Sequence, residues 1–283
     1  MTPEIEPIQT RRSGAVGWIT LARPERFNAL DVRMAQDLRK AALQFARDAS
    51  VRCVVLAGGE RVFSSGADLR YVQQQGAAAD LEYLQPQARA GGYGAAFKEI
   101  LEYLHSTISE IRRAPKPFIA AVRGIAAAGG FGLALACDLV YAAEGASFEW
   151  AYTKTGLTGA ESATFLLPRL VGLRRAFELA FLNPRLDAHA ALAAGLITGV
   201  FPAAVFDAEV ERIAATLAAG PTRAFGHTKR LLNAAAGMDR LDAHLDRELR
   251  QLVASADGVD FAVGLAAFFA KQPPRFKEDP NDA

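Results

Sequence analysis

The sequence has little cysteine and no pattern of metal ligands. Its two cysteines, Cys53 and Cys137, stand alone, and Cys137 falls in an apolar segment. Isolated thiols in apolar surroundings are typical of reduced packing residues, not of disulfides, redox pairs or metal sites. His189, His227 and His244 are far apart and lack metal-ligand spacing. We therefore expect no bound metal.

The chain also lacks an excess of charge of either sign and any long apolar run. Its 32 basic and 31 acidic residues leave a net charge of +1, which gives no overall attraction to nucleic acid. No apolar run reaches the roughly 18 residues of a membrane span, and residues 1–12 lack the apolar core of a signal peptide. The sequence thus predicts a cytoplasmic protein with neither a membrane nor a nucleic-acid partner.

The chain does contain enough apolar material for a substantial core. Hydrophobic residues make up 51% of its 283 positions, which suits one large domain, or one domain with an appendage. Residues 15–21, 51–56 and 118–122 are short apolar runs typical of buried strands. Residues 29–49 carry leucines and alanines on one face and predict a helix, with Asp31 as its N-cap. This alternation of strands and helices favours an α/β fold.

Two turns rich in glycine and other small residues follow predicted strands. One leads through Gly66 and Ala67 into a predicted helix, and in the other Gly124 is predicted to turn the chain into a helix containing Gly129 and Gly130. A helix that starts among glycines exposes unpaired N–H groups, although the small residues could equally serve tight packing alone. If the two turns meet, two N–H groups could stabilise an oxyanion such as a thioester enolate.

Four segments, in order and spacing, resemble the enoyl-CoA hydratase/isomerase (crotonase) family. They are RPERFNAL at 23–30, FSSGADL at 63–69, the stretch 116–138 and LLPRLVG at 166–172, and residues 261–268 resemble its C-terminal segment. The resemblance implies a crotonase-like spiral of ββα units in residues 1–200 and a C-terminal helical trimerisation region in 201–283. It implies a homotrimer or dimer of trimers. It also implies an acyl-CoA substrate whose thioester oxygen accepts hydrogen bonds from the amides of Ala67 and Gly129.

The same resemblance implies which residues contact the substrate. Coenzyme A would enter as part of the substrate, with no separate cofactor. Arg26, Phe27 and Ala29 are expected to line the path of the pantetheine and the phosphates. Ser65, Asp68 and Leu69 are expected to lie beside the adenine. Lys271 matches a region that reaches a neighbouring subunit's CoA phosphates. For Arg26 and Lys271 a solvated surface charge is the alternative.

The chain differs from the family at the positions of the catalytic carboxylates, the groups that transfer protons. Hydratases of the family carry catalytic glutamates at two positions that are Gly132 and Tyr152 here, so a two-glutamate hydration is not expected. The segment around Tyr152 is more similar to the isomerase branch, whose catalytic aspartate falls at Ala160 by register. Glu161, the next residue, is therefore the acid/base candidate. Alternatively, Glu161 caps the following helix or faces water, and Tyr152 either donates a hydrogen bond or packs in the core.

Further candidates and two functions stay open at this point. Glu82, Glu99 and His105 lie in or after a predicted mobile lid and are reserve acid/base groups, although an exposed helical position would explain each. The first function is an acyl-CoA enzyme that isomerises or hydrates an unsaturated acyl group. The second is a catalytically silent acyl-CoA binder that kept the oxyanion hole and lost its carboxylates.

Overall fold

The computed structural model describes residues 6–76 and 92–276. Its strands are β1 Ile8–Ser13, β2 Val16–Leu21, β3 Cys53–Ala57, β4 Val62–Ser64, β5 Phe118–Val122, β6 Ile125–Ala127, β7 Leu139–Ala143, β8 Ser147–Glu149, β9 Leu186–Asp187 and β10 Gly199–Phe201. Its α-helices are α1 Val32–Arg47, α2 Leu69–Gln73, α3 Gly94–Arg113, α4 Gly129–Ala136, α5 Ala163–Val171, α6 Leu173–Leu182, α7 Ala188–Ala193, α8 Phe206–Ala219, α9 Thr222–Ala235, α10 Leu241–Ala256 and α11 Val259–Ala270. Short 3₁₀ turns lie at Pro24–Arg26, Tyr152–Thr155 and Met238–Arg240.

The strands of repeated strand–strand–helix units are divided between two sheets. The larger has the order β1-β2-β3-β5-β7-β10 and the smaller the order β4-β6-β8-β9. In the pairs β3/β4, β5/β6 and β7/β8, the first strand joins the larger sheet and the second joins the smaller. Within each sheet these strands run parallel. The chain therefore winds as the expected α/β spiral of ββα units, and helices follow from residue 206 to residue 270.

The larger sheet is buried on both faces. Successive side chains of a strand point to opposite faces, and here apolar side chains on both faces are covered. Val54 and Leu56 of β3 face the main core, whereas Cys53 and Val55 face a second cluster formed with α8. Burial raises the pKa of the Cys53 thiol to about 12. The same holds for Cys137, which is also buried and free. Both cysteines are thus inert packing residues, as predicted.

One local prediction is wrong. The turn at Gly124 does not lead directly into a helix, because Ile125–Ala127 forms strand β6, which pairs with β4 and β8. Gly124 has φ +62°, and a Cβ atom there would lie 2.0 Å from the carbonyl oxygen of Arg61. That close approach brings the chain beside the start of β4. The helix α4 begins at Gly129, five residues after Gly124.

The N-cap predicted for the first long helix is confirmed. Asp31 precedes α1, and its carboxylate accepts a 2.9 Å hydrogen bond from the amide of Met34. In the described ranges, no single helix is long and apolar enough to cross a membrane. The segments Met238–Ala256 and Val259–Ala270 reach that length and composition only together, with a bend of 73° between them.

Candidate active site

The site lies where three neighbouring parallel strands of the smaller sheet end. Strands β4, β6 and β8 run side by side, so their carboxyl ends meet at one edge and the segments that follow them converge there. A cavity of about 670 Å³ opens at this edge. Among its lining residues are most of those expected from the sequence: Arg26, Phe27, Ala29, Ser65, Ala67, Asp68, Leu69, Tyr152, Glu161 and Lys271.

The first backbone donor is the amide of Ala67. Leu30 pairs with the residues on both sides of it: its amide donates to Gly66 O at 2.8 Å, and its carbonyl accepts from the Asp68 amide at 2.8 Å. In such a bridge the N–H of the central residue points away from the partner strand. The Ala67 amide is therefore left free of Leu30 and belongs to a residue that lines the cavity.

The second backbone donor is the amide of Gly129, the first residue of α4. An amide at this position has no partner within its own helix, and the positive end of the helix dipole lies behind it. In the described part of the chain, neither this amide nor that of Ala67 is paired with an acceptor. A Cβ atom on Gly66 would lie only 2.9 Å from Gly129 N. The turn at Gly66 and the start of α4 therefore lie next to each other.

Glu161 is buried beside this pair of donors. Only 3% of the residue is exposed, and its carboxyl oxygen Oε1 would lie 2.9 Å from a Cβ atom on Gly129. The hydroxyl of Tyr152 donates to its other oxygen, Oε2, at 2.5 Å. The alternatives for Glu161, a helix cap or a solvated side chain, are therefore wrong. Tyr152 combines its two alternatives, since it is both buried and a donor.

Burial makes the Glu161 carboxyl suited to proton transfer near neutrality. Loss of solvation raises its pKa to about 7, the hydrogen bond from Tyr152 works against that rise, and the charge of Glu248 adds to it. The pKa of the Tyr152 phenol is raised well above its usual value by burial first and by Glu161 second. Tyr152 consequently remains a hydrogen-bond donor while Glu161 gains and loses its proton.

Gly132 leaves room for the main chain of Glu161. A Cβ atom on Gly132 would lie 2.5 Å from the carbonyl oxygen and 2.8 Å from Cβ of Glu161. The main chain of Glu161 therefore fills the space that a side chain at residue 132 needs. Only glycine fits there while Glu161 keeps its place.

The loop that carries Glu161 is strained. Glu161 and Ser162 both have left-handed backbone angles, with φ +50° and +63°, a conformation that costs a non-glycine residue about 1 to 3 kcal/mol. The buried carboxylate of Glu248, in α10, accepts a 2.8 Å hydrogen bond from the Ser162 amide. Sequence reasoning missed Glu248, because a single glutamate on an amphipathic helix carries no local signal of such a contact.

Charged residues cluster at the mouth of the cavity. The guanidinium of Arg26 binds the carboxylate of Asp68 at 2.7 and 2.8 Å, and Arg23 reaches the same carboxylate at 3.3 Å. Asp68 also caps α2, accepting from the amide of Arg70 at 3.0 Å. Arg26 is therefore ion-paired at the cavity mouth. It is not the solvated surface charge that the sequence analysis considered as the alternative. Lys271, at the end of α11, lines the cavity of its own chain.

The reserve acid/base candidates lie elsewhere. Glu99 and His105 are buried in α3, so the exposed positions considered for them are wrong. Burial raises the pKa of Glu99 to about 7, with the charge of Glu102 adding to it, and lowers that of His105 to about 4. Neither residue lines the cavity. Glu82 lies outside the described residues.

Comparisons with known proteins identify the family of the chain. The sequence model of the family described as enoyl-CoA hydratase/isomerase matches residues 11–279. The chain is similar to a 4-chlorobenzoyl coenzyme A dehalogenase-2 from an Arthrobacter species, at 32% identity over 94% of this chain and 91% of that protein. It is similar to the 1,2-epoxyphenylacetyl-CoA isomerase of Escherichia coli K12, at 34% identity over 91% of this chain and 93% of that protein.

A crystal structure of an enoyl-CoA hydratase from Mycobacterium avium subsp. paratuberculosis K-10 superposes with a TM-score of 0.83 and 34% identity, covering 97% of this chain and 100% of that one. The described fold, a mixed α/β spiral with C-terminal helices, is thus shared along almost the whole chain. The family match, the relatives and the superposition all lead to one conclusion. The chain belongs to the enoyl-CoA hydratase/isomerase (crotonase) family and is an enzyme of that type.

Proposed function

We propose that this enzyme isomerises an unsaturated acyl-CoA thioester by moving a proton through an enolate. The amides of Ala67 and Gly129 would hold the thioester oxygen, and Glu161 would carry the proton. The observation that carries the proposal is a buried carboxyl, with a pKa raised to about 7, directly beside Gly129. A base with a pKa near the working pH is the most effective one for proton transfer.

The reaction follows from this arrangement. The Glu161 carboxylate removes a proton from the α-carbon of a β,γ-unsaturated thioester, and the electrons of the broken C–H bond move towards the thioester oxygen. The negative charge that develops there is stabilised by the two amides. The protonated Glu161 then returns its proton to the γ-carbon, so the double bond ends between the α- and β-carbons. The carboxylate is regenerated, and no co-reactant is consumed.

A single carboxyl at the donor pair favours isomerisation over hydration. Hydration by the usual family route needs two glutamates, and the corresponding residues are Gly132 and Tyr152. Among the described residues, the other acidic ones that line the cavity are Glu25, which is exposed, and Asp68, which is held by Arg26. One carboxyl suffices for a proton shift between two carbons on the same face. The buried Glu161 also argues against the catalytically silent binder.

The lining of the cavity supports a bulky or aromatic acyl group. Its apolar part includes Phe97, Leu157, Leu252, Phe268 and Phe269. Two similar proteins carry names of acyl-CoA compounds with a six-membered ring, the aromatic 4-chlorobenzoyl group and the ring epoxide 1,2-epoxyphenylacetyl. Flat aromatic faces stack well on other aromatic rings. We therefore propose a phenyl-bearing acyl group as the preferred class.

The coenzyme A part of the substrate would lie at the charged mouth. Arg26, Arg70, Lys154 and Lys271 line the cavity there and suit the phosphates of coenzyme A. We propose that coenzyme A enters as part of the substrate and that the reaction uses no separate cofactor. The cytoplasmic location stays a prediction from the sequence.

The test is exchange of α-protons in deuterated water, which does not depend on the reaction direction. Wild-type protein and Glu161→Gln are incubated with phenylacetyl-CoA and with trans-3-hexenoyl-CoA, and deuterium uptake is followed by mass spectrometry. We expect exchange by the wild type, and a loss of about two to four powers of ten in the variant. Equal exchange by both proteins would dismiss Glu161. No exchange by the wild type on either thioester would favour the silent binder.

We also propose that the chain assembles into a trimer or a dimer of trimers. A band of exposed apolar residues on α5 and α6 supports self-association: Leu170, Leu173, Phe177, Phe181 and Leu182. Exposed apolar patches of this kind mark contact surfaces in proteins of known assembly. Light scattering coupled to size-exclusion chromatography tests it, and a mass of one chain would contradict it.

A further inference from the structure

Helix α5 starts directly after the strained pair Glu161 and Ser162, and its own sequence supplies no cap. The first amides of a helix need acceptors from outside it. Ser162 holds the N-cap position with φ +63°, yet its side chain makes no capping hydrogen bond. Among the described residues, its hydroxyl oxygen has no partner at all. Another group must therefore pair with the amides that open α5.

That group is the carboxylate of Glu248, which comes from α10. Its Oε2 atom accepts from the Ser162 amide at 2.8 Å, and its Oε1 atom accepts from the Thr164 amide at 2.9 Å. The hydroxyl of Thr164 donates to Oε1 as well. Glu248 is a buried residue, with 4% of its surface exposed. A carboxylate from a distant helix thus serves as the N-cap of α5, where negative charge also meets the positive end of the helix dipole.

The consequence for the site lies in the geometry of two adjacent residues. The Ser162 amide that Glu248 holds is part of the peptide unit that joins Glu161 to Ser162. Fixing that peptide fixes the backbone angles of Glu161, and with them the direction in which its carboxyl points. Tyr152 holds the other end of the same side chain. Glu161 is thus clamped at its backbone by Glu248 and at its carboxyl by Tyr152.

We propose that Glu248 is a positioning residue, which caps α5 and thereby holds the Glu161 carboxyl against Gly129. The proposal rests on the proposed function of Glu161 and deepens it. Glu248 does not line the cavity and would not touch the substrate. Its role is to hold a loop that would otherwise relax from two left-handed residues into a less costly conformation.

Several titratable groups face this arrangement. Tyr152, from the segment after β8, faces Glu161. His244, on the same helix as Glu248, lies 3.8 Å from it and 2.7 Å from the Thr164 hydroxyl. The guanidinium of Arg169, on α5, stacks over Phe165. Burial raises the pKa of Glu248 to about 7, against the opposing effect of its hydrogen bonds to Thr164, Ser162 and Phe165.

Charge gives Glu248 an effect that a purely structural residue would not have. An ionised Glu248 disfavours a second negative charge nearby and so raises the pKa of Glu161. A neutral side chain at residue 248 removes that repulsion, and the pKa of Glu161 falls. The acid limb of the pH profile, which follows ionisation of the base, then moves to lower pH.

Two substitutions separate the hydrogen bonds from the charge. Glu248→Gln keeps the size, loses the charge and places an amide NH₂ against a backbone donor. Glu248→Asp keeps the charge but is one methylene too short to reach both amides. Asp246→Asn is the matched control, because it removes a carboxylate from the exposed face of the same helix. The measurement is α-proton exchange into phenylacetyl-CoA from deuterated water, as a function of concentration and pH.

We expect Glu248→Gln to lower kcat about 10- to 100-fold, the range for a misplaced catalytic group, with KM little changed. Its acid limb moves to lower pH. Glu248→Asp should lower kcat without moving the acid limb of the pH profile. Asp246→Asn should change neither kcat nor the acid limb. Amide hydrogen exchange at Ser162 and Thr164 should accelerate in both residue-248 variants, a readout that needs no activity.

The outcomes separate the two proposals. If Glu161→Gln abolishes exchange but both residue-248 variants keep the wild-type kcat, Glu248 is not a positioning residue. A lower melting temperature alone, with kcat and acid limb unchanged, overturns it in the same way. If Glu161→Gln keeps wild-type exchange, the proposed function itself fails. Should Glu248→Gln not fold, Glu248→Asp decides alone: reduced kcat at unchanged KM supports the proposal, and unchanged kcat overturns it.

Discussion

The two walls of the cavity are built in opposite ways. The donor wall carries the two main-chain amides that we propose as an oxyanion hole. They belong to Ala67, which lines the cavity, and to Gly129, which follows the lining residue Ala128, and both come after paired strands. The carboxyl wall, Glu161 and Tyr152, consists of side chains on a loop with consecutive left-handed residues. The first wall is held by main-chain hydrogen bonds of the sheet edge, such as those that Leu30 makes with Gly66 and Asp68. The second depends on Glu248, 86 residues away in the sequence from Ser162.

The difference teaches where a site can change. Backbone donors are fixed by the fold itself, since any residue supplies an N–H group and only the turn has to be kept. A carboxyl can change its place in the chain provided that the new position reaches the same atoms and the old one is vacated. Four substitutions test this contrast, and they follow here in order of decreasing expected effect.

Gly132→Glu attacks the carboxyl wall and should have the largest effect. The new Cβ atom would lie 2.5 Å from the carbonyl oxygen of Glu161, so that residue must leave its place. We expect exchange into phenylacetyl-CoA to fall by about two to four powers of ten, as for loss of the acid/base group. Gly145→Glu is the control, because a Cβ atom there meets nothing within 4 Å. Efficient hydration of crotonyl-CoA by Gly132→Glu would contradict this view of the site.

Gly66→Ala attacks the donor wall. Gly66 has φ +90°, and its new methyl group would lie 2.7 Å from Cβ of Ala128 and 2.9 Å from Gly129 N. The two turns must separate, which weakens the oxyanion hole, so kcat should fall about 10²- to 10³-fold. Gly14→Ala is the matched control, with φ +58° and nothing within 4 Å of the added atom. Comparable losses of kcat in both variants would show that backbone strain alone is responsible.

Tyr152→Phe weakens the carboxyl wall without moving it. The lost hydrogen bond had lowered the pKa of Glu161, so that pKa should rise above its value of about 7. Because the base must be ionised, the wild-type rate rises with pH through about 7, and the variant's acid limb moves to higher pH. We expect about a tenfold loss well below pH 7, where a rise of one unit in the pKa lowers the ionised fraction of Glu161 tenfold.

The shift for Tyr152→Phe is opposite in direction to the one expected for Glu248→Gln, so a pH profile of both variants tells the two contacts apart. Tyr141→Phe serves as the control, because that ring stacks on Phe201 at the larger sheet. An acid limb that stays in place after Tyr152→Phe would mean that the hydroxyl does not act on Glu161.

Arg26→Gln should have the smallest effect and should spare both walls. It removes one cation from the cavity mouth and frees Asp68 of its closest partner. We expect KM to rise about fivefold, near 1 kcal/mol of binding free energy, with kcat unchanged. The rise should shrink at high salt, since exposed charges are screened. Arg212→Gln is the control: it breaks an exposed ion pair with Glu209 and should leave KM unaltered. A fall in kcat for Arg26→Gln would contradict the prediction, because it would mean that Arg26 affects the chemical step as well as binding.

The parts of the molecule that sequence could predict are those set by local chemistry. Asp31 is a helix cap by residue type and position, and Gly66 and Gly129 mark turns that only small residues allow. The expected helix at Ile125–Ala127 failed because its pairing with β4 is a tertiary contact, to which apolar runs of small residues give no clue. Glu248 was missed for the same physical reason. Its contacts exist only once α10 has packed beside α5.

The backbone of Glu161 fills the space beside Gly132 that a side chain at residue 132 would need. This packing limits which substitutions the two positions tolerate. A Cβ atom at residue 132 would lie 2.5 Å from the carbonyl oxygen of Glu161, so a side chain there conflicts with the present backbone of Glu161. A variant of this chain that gains a side chain at residue 132 must therefore move or replace residue 161 at the same time.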